Sequence, residues 1–124
     1  MAQGPLFPSS TPIDAYGDGG FRFAERRHEG QLLVLPSGVY GSAAKSPKLL
    51  SAKQFQSIFS EADQIEFLIL GMWEVLLRPP KSVRAAFAKA VLGIKVMDSG
   101  TACGMFNVLL GESRAVAAAL IAVG

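Results

Sequence analysis

The N-terminal half of the chain carries short apolar runs separated by glycine-rich turns. The segment 21–27 begins with alternating apolar and polar residues, which predicts a β-strand. His28-Glu29-Gly30 predicts a hairpin turn, and Gln31 with the apolar run 32–35 predicts the returning strand. Residues 13–16 predict a short edge strand before the turn cluster 16–20. This half of the chain therefore predicts antiparallel β-structure.

Two apolar runs in the C-terminal half have the lengths of buried strands. The nearly continuous run 64–70 predicts a central strand that is covered on both faces, and residues 94–97 predict a second central strand. Between them, Pro80 lies in the first turn of a predicted helix and Gly93 lies just past its end. Because a helical crossover joins the two strands, we expect them to be parallel.

Capping signals predict the remaining elements. Ser51 and Gln54 have the spacing of a capping box, which predicts a helix that begins there. Residues 101–110 predict a short helix that Gly111 ends. Segment 114–123 fits either a helix, because it is rich in alanine, or a buried closing strand.

Composition indicates one compact domain. The 124 residues are 50% hydrophobic and 18% charged, with a mean hydropathy of +0.33. This length and composition suffice for one sizeable core. Residues 1–12 are rich in proline and serine and predict a mobile tail, which leaves 13–124 as the domain. The net charge of +2 does not indicate a nucleic-acid partner, and the arginines at 22, 26 and 27 are expected on a solvated strand face.

No segment of the sequence has the pattern of a secretory signal or a transmembrane helix. The longest apolar candidate, 67–77, is broken by Glu74 and is shorter than the ~20 residues that a membrane span needs. We therefore expect a cytoplasmic protein in a bacterium, or a mitochondrial matrix protein in a eukaryote. Cys103 is the only cysteine, which excludes an intramolecular disulfide.

The parallel strands predict a site where their carboxyl ends meet, because α/β folds commonly bind ligands there. The candidate residues for a cleft at this edge follow a strand or begin the next helix. They are Gly71, Met72, Trp73, Asp98, Ser99, Gly100 and Thr101. Free N–H groups at the helix start would favour a small anion, whereas the carboxylate of Asp98 would oppose one. The alternative role of Asp98 is to cap the helix.

Cys103 is the candidate nucleophile. A position in the first turn of a helix is expected to lower the pKa of its thiol, and Asp98 would serve as the orienting acid or base. The only histidine, His28, lies in the predicted hairpin turn, far along the chain. The alternative is that Cys103 is a small buried apolar residue. One histidine, one cysteine and scattered carboxylates predict no metal site, and we expect no cofactor.

The C-terminal sequence resembles a known family. The words GIKVMDSGTACGMFNVLL and RAVAAAL, the turn at 16–21 and the strand at 32–39 are similar to the Mth938-like domain family, also called DUF498. Its eukaryotic members include a mitochondrial complex I assembly factor. The resemblance implies an α/β fold: a mixed sheet with central parallel strands, helices packed on it and an N-terminal β-hammerhead-like hairpin. It also implies that the last element is a strand.

Two positions relate to the motifs of this family. In many members the central strand is followed by a sequence similar to Gly-Thr-Gly, whereas this chain has Gly71-Met72-Trp73. Trp73 therefore replaces a small residue, and a ligand that needs the small residue would bind differently here or not at all. Trp73 alternatively covers the core as a large aromatic side chain. Asn107 matches the family motif and is a further cleft candidate, or else it bonds a neighbouring backbone.

Two functions remain open at the level of sequence. The first is a non-catalytic interaction or assembly protein that holds a protein partner or its own copy, linked by resemblance to respiratory complex I assembly. The second is a small-molecule binder, or an enzyme, that uses the Gly71/Asp98 cleft with Cys103 as nucleophile. The absence of a recognisable catalytic set favours the first function.

Overall fold

The computed structural model describes residues 6–42, 56, 58–72, 81–90 and 92–121. In the described part of the chain, the strands are β1 (Ala15–Gly17), β2 (Gly20–Phe23), β3 (Arg26–Glu29), β4 (Gln31–Leu35), β5 (Gly38–Ser42), β6 (Phe67–Gly71), β7 (Gly93–Met97) and β8 (Val116–Leu120). The α-helices are α1 (Lys81–Lys89) and α2 (Ser99–Gly111), and a 3-10 helix spans Ala62–Gln64.

The strands form two sheets. Strands β1, β2 and β3 make an antiparallel three-stranded sheet, and the other five lie in the order β5-β4-β8-β6-β7. In the five-stranded sheet β6 is parallel to both β7 and β8, whereas β4 is antiparallel to β8. The predicted mixed sheet with parallel strands is therefore confirmed.

The position of β7 differs from the prediction. Strand β6 is central as expected, but among the described strands β7 pairs with β6 alone and forms an edge of the sheet. The prediction of a second central strand is wrong because the last strand, β8, enters on the other side of β6. Pairing between β4 and β8 joins residues that are more than 80 positions apart, which a local apolar run does not reveal.

The last element is a strand, as the family resemblance implies. All five residues of β8 are buried, and three of them are alanines. A central strand that is covered on both faces reads as a continuous apolar run. The sequence therefore could not distinguish this strand from a helix by period alone.

The first hairpin turns earlier than predicted. Strands β2 and β3 are joined at Ala24 and Glu25, whose φ angles are 48° and 63°. The prediction of a turn at His28-Glu29-Gly30 is wrong, because His28 pairs with Phe21 within this hairpin. Two consecutive positive φ angles usually select glycine or asparagine, so Ala24-Glu25 gave no turn signal. Gly30, with φ 102°, instead connects β3 to β4 in the other sheet.

Two predicted segments lie partly outside the described residues. The capping box of Ser51 and Gln54 is outside them, and residues 58–60 are helical. The described part of the predicted tail contacts the domain: the Leu6 N–H donates to the Val39 carbonyl (2.6 Å), and the Val39 N–H donates to the Phe7 carbonyl (3.0 Å). The mobility of 1–12 stays a prediction.

The five-stranded sheet has a hydrophobic core on each face. Ile69 belongs to one core, together with residues of α2 and of the three-stranded sheet. Leu68 and Leu70 belong to the other core, together with Phe87 of α1 and Ile58. Adjacent residues of a strand point to opposite faces, so α1 and α2 cover opposite sides of the sheet. The architecture has three layers, with α2 and the small sheet on one side of the large sheet.

Candidate functional site

Three parallel strands deliver their carboxyl ends to one edge of the sheet. β6, β8 and β7 are neighbours that run the same way, so Gly71, Leu120 and Met97 end together. Beyond the strands, the Met72 N–H donates to the Met97 carbonyl (2.9 Å), and the Ile121 N–H donates to the Gly71 carbonyl (2.9 Å). The structure thus brings the segments after β6 and β7 together, as the parallel arrangement requires. We call this edge the rim.

Protein atoms fill the space between Gly71 and α2. A Cβ added to Gly71 would lie 2.9 Å from Ser99 Cα and 3.1 Å from Ala102 Cβ. Ser99 is fully buried, and its hydroxyl donates to the Ile121 carbonyl at 2.6 Å. Met72 is 1% exposed. The inner part of the rim is therefore packed as tightly as core, and a ligand would have to lie outside it.

Asp98 caps the N-terminus of α2. Its Oδ2 accepts the Thr101 N–H (3.1 Å), and its Oδ1 accepts the Thr101 hydroxyl (2.6 Å). Both bonds lower the pKa of the Asp98 carboxyl, and the bond from the Thr101 hydroxyl has the larger effect. The capping interpretation is confirmed. Because the carboxylate accepts the Thr101 N–H and places a negative charge at the helix start, the local charge does not favour a second anion.

A side chain from the small sheet also reaches the rim. Tyr16 of β1 lies against Gly100, and a Cβ added at Gly100 would overlap the tyrosine hydroxyl. Tyr16 is one of the two large apolar side chains that are exposed in the described part of the chain, at 50%. This contact is not predictable from the sequence, because β1 and α2 are more than 80 residues apart.

Cys103 lies within the core below the rim. It is 3% exposed and belongs to the core on the α2 face. Burial, and then the negative charge of Asp98, raise the pKa of the Cys103 thiol to about 12. The expectation of a lowered pKa is wrong, because Asp98 is the cap and Cys103 therefore stands in the second turn of α2, away from the unpaired N–H groups.

His28 and Cys103 do not form a pair. No hydrogen bond joins them in the described part of the chain, and the imidazole of His28 lies against Gly41 of β5. Strand β5 is at the edge of the large sheet opposite to β7. In the described residues, Nε2 of His28 is a buried atom that has no hydrogen-bond partner. His28 is thus not placed to act as a general base for Cys103.

Asn107 connects α2 to the N-terminal segment. Its Oδ1 accepts the Ile13 N–H (2.8 Å), and its Nδ2 donates to the Ile13 carbonyl (2.7 Å). This pair of bonds satisfies the backbone of a residue that precedes β1 and is itself buried. The interpretation of Asn107 as a partner of a neighbouring backbone is confirmed.

Trp73 and Thr101 are the remaining candidate residues of the cleft. Trp73 lies outside the described residues, and Thr101 is exposed on the first turn of α2. In the parts of the chain that the structure describes, no three His, Cys, Asp or Glu side chains converge on a point where a metal ion could bind. No helix among those parts is both long and apolar enough to cross a membrane. A ligand role for the rim residues stays a prediction.

Comparison with known proteins decides the family. The model of a family described as "Protein of unknown function (DUF498/DUF598)" matches residues 13–121. The chain belongs to the DUF498 family. Because the match begins before β1 and ends after β8, it covers both sheets and both α-helices described above. The identification made from the C-terminal motifs is confirmed.

Relatives of this DUF498 protein include bacterial and vertebrate chains. An uncharacterized protein of Rhodobacter capsulatus is 30% identical over 94% of this chain and 89% of its own length. The mouse "NADH dehydrogenase [ubiquinone] 1 alpha subcomplex assembly factor 3" is 29% identical over 93% of this chain, and the human protein of that name is 28% identical over 88%. The chain spans 62% of the mouse factor and 59% of the human one.

Solved structures share the fold of this DUF498 protein. A structure described as an outer membrane protein from Bartonella henselae matches with a TM-score of 0.90 and 43% identity, over 95% of this chain and 99% of its own. A Rhodopseudomonas palustris protein matches at 0.81 and 38%, over 99% and 91%. A Mth938-like domain of Bordetella pertussis, at 0.71 and 23% over 98% and 90%, shows the fold alone. The Mth938-like fold is thereby confirmed.

Proposed function

We propose that this DUF498 protein is a non-catalytic interaction protein that assists the assembly of respiratory complex I. The observation that carries the proposal is the similarity to the assembly factors named above, which extends over 88% to 93% of this chain. A function at the level of complex I assembly is supported for the family by these relatives. Its extension to this chain is the proposal.

The contacts at the rim support binding over catalysis. The groups that the sequence suggested for chemistry each have an internal structural role. Ser99 bonds to the Ile121 carbonyl, Asp98 caps α2, and the thiol of Cys103 is buried with a raised pKa. A nucleophile needs an accessible ionised form and a neighbouring base. The anion-binding alternative stays a prediction that no observation at the rim favours.

The proposal includes the partner and the compartment. The partner is a protein, either a subunit or assembly intermediate of complex I or a second copy of this chain. The compartment is the cytoplasm if the source is a bacterium and the mitochondrial matrix if it is a eukaryote. No cofactor is included in the proposed role.

Gene deletion in the source organism tests this function. We expect native gels of membranes from the deletion strain to show less NADH-oxidising complex I and more subassemblies, with unchanged succinate dehydrogenase as the control. The wild-type chain restores the complex. Cys103→Ser and Asp98→Asn restore it equally, because neither residue performs chemistry in this proposal. Normal complex I in the deletion strain, or a folded Cys103→Ser chain that fails to restore it, would contradict the proposal.

A further inference from the structure

Among the described strands, β7 lies at an edge of the large sheet and pairs with β6 alone. The Met97 carbonyl accepts the Met72 N–H, so the backbone groups of Met97 point toward β6. Alternate residues of a strand point the same way, which directs Gly93 and Lys95 toward β6 and directs Ile94 and Val96 outward. No described residue bonds to these outward groups. The edge therefore offers two N–H and two carbonyl groups to an added strand.

The opposite edge of the sheet is covered by the chain itself. At β5, both backbone groups of Val39 are bonded to the segment that contains Leu6 and Phe7. An edge strand that is not covered is a template for pairing with another chain, and a charged side chain such as Lys95 of β7 restricts which chains can pair there. In the described part of the molecule, only the β5 edge is covered in this way. The difference between the two edges marks β7 as the one available to a partner.

The segment that contains β7 is mostly basic, although Asp98 directly follows the strand and Glu74 directly precedes the segment. Residues 75–97 contain five of the 12 lysines and arginines and none of the 10 acidic residues, which leaves seven basic residues against those 10 elsewhere. Three of the five lie on α1 as the exposed Lys81, Arg84 and Lys89, and α1 packs chiefly on β7 among the strands. The β7 edge thus lies in a basic region of a chain whose net charge is only +2.

Basic groups flank the edge on both faces of the sheet. Ile94 and Val96 pack into the core on the α1 side. Lys95 projects from the other face, where its Nζ lies 5.2 Å from the centroid of the Phe67 ring. A strand added to β7 would therefore run beside Lys95 on one face, and α1 on the other face carries the exposed Lys81, Arg84 and Lys89. The side chains of the added strand on both faces would favour negative charge.

We propose that the β7 edge binds an acidic, extended segment of a partner protein as an additional β-strand. Backbone hydrogen bonds to Ile94 and Val96 supply the pairing, and Arg84 and Lys95 select acidic side chains. A second copy of this chain is the poorer occupant, because two such edges would bring like charges together. The inference rests on the proposed function in that it names the surface by which the protein holds its partner.

Binding of a designed peptide tests the edge directly. The probe is a fluorescent peptide of about ten residues that alternates glutamate with valine, and its control alternates glutamine with valine. We expect only the acidic peptide to bind, with affinity that falls as NaCl is raised from about 50 to about 500 mM. Arg84→Glu should weaken binding about fivefold or more, whereas Arg22→Glu, at an exposed arginine of the small sheet, should leave it unchanged.

Amide exchange shows where the peptide binds. We expect it to slow exchange of the Ile94 and Val96 amides about tenfold or more, with little change at Lys95, whose N–H already points to β6. Equal binding of the neutral peptide, or binding without protection of these amides, would overturn the inference. Protection of both amides in the free protein at high concentration would identify a second copy as the occupant. Binding of duplex DNA at Arg84, without binding of the acidic peptide, would identify a nucleic acid instead.

The test separates this inference from the proposed function. If an Arg84→Glu/Lys95→Glu chain that remains folded by its thermal transition restores complex I in the deletion strain as well as wild type, the edge inference fails and the assembly role stands. If deletion leaves complex I normal, the assembly role fails whatever the peptide does.

Discussion

At the scale of the residue, Gly71 determines how closely α2 can approach the large sheet. The backbone of Ser99 and the side chains of Ala102 and Leu120 converge on the position where a Cβ would stand. Glycine is used where another backbone approaches closely. The first residue of the Gly71-Met72-Trp73 turn is therefore explained by packing, without a ligand.

Replacement of Gly71 by alanine should destabilise the fold. The added methyl group would lie 2.9 Å from Ser99 Cα, a backbone atom that can move only with α2. We expect a loss of about 1–3 kcal/mol in the free energy of unfolding, measured by urea denaturation. Gly104→Ala, in the same helix with nothing within 4 Å of the new methyl group, should stabilise by up to about 1 kcal/mol. A Gly71→Ala protein as stable as wild type would contradict this packing.

Cys103 should be inert in the folded protein. The pKa of its thiol lies well above the ordinary 9.0, so the thiolate is scarce at neutral pH and burial blocks access to it. We expect an aromatic disulfide reagent to modify the folded chain at least about 100-fold more slowly than the chain in denaturant. The Cys103→Ala chain provides the reagent blank. Rapid modification of the folded chain at neutral pH would restore Cys103 as a candidate nucleophile.

The same pKa predicts the alkaline limit of stability. A thiol whose pKa is higher in the folded state than in the unfolded state contributes stability that is fully present below the unfolded pKa, near 9.0. That contribution is lost as the pH rises from there to about 12. We expect the free energy of unfolding of wild type to fall more steeply over this range than that of Cys103→Ala, measured by urea denaturation. Parallel curves for the two proteins would contradict the assignment.

At the scale of the element, two side chains, one at the start of α2 and one in its second half, fix the helix in place. Asp98 caps its first turn, and Asn107 in its second half binds the backbone of Ile13. The cap is visible in the sequence because it is local. The partner of Asn107 is 94 residues away, so the sequence indicated only that a buried amide needs partners.

Asn107→Asp should show how the two bonds to Ile13 work. The carboxylate keeps the acceptor for the Ile13 N–H but loses the donor to its carbonyl, which would then face a negative charge. We expect a loss of about 1–3 kcal/mol at neutral pH, measured by thermal or urea unfolding. The loss should shrink relative to wild type in mild acid, because a protonated carboxyl donates again. A loss that does not depend on pH would show that the donor bond does not contribute.

At the scale of the whole molecule, the sequence predicted what depends on nearby residues. The parallel strands β6 and β7, the helix after Asp98 and the meeting of segments at the rim all follow from local runs, caps and a crossover. The resemblance to the family implies, in addition, that the last element is a strand. Three features escaped prediction because each depends on distant or unusual contacts: the insertion of β8 beside β6, the Ala24-Glu25 turn with two positive φ angles, and the contact of Tyr16 with Gly100.

The chemistry of the candidate site is harder to predict than the fold, because it depends on contacts between residues that are distant in the sequence. The sequence shows only that Cys103 lies near the start of a helix. The pKa of a thiol depends instead on burial and on the charges around it, and both are tertiary properties. The three-layer arrangement places Cys103 in the core between α2 and the large sheet, where burial outweighs the helix dipole.

The proposed role in complex I assembly is tested by capturing the tagged chain from its source organism and quantitatively identifying the proteins that accompany it. We expect complex I subunits or their partial assemblies to be enriched over a tag-only control. We also expect native mass spectrometry of the captured protein to show no bound small anion. Capture without any complex I subunit, or with a retained small-molecule ligand at the rim, would contradict the proposed non-catalytic assembly role.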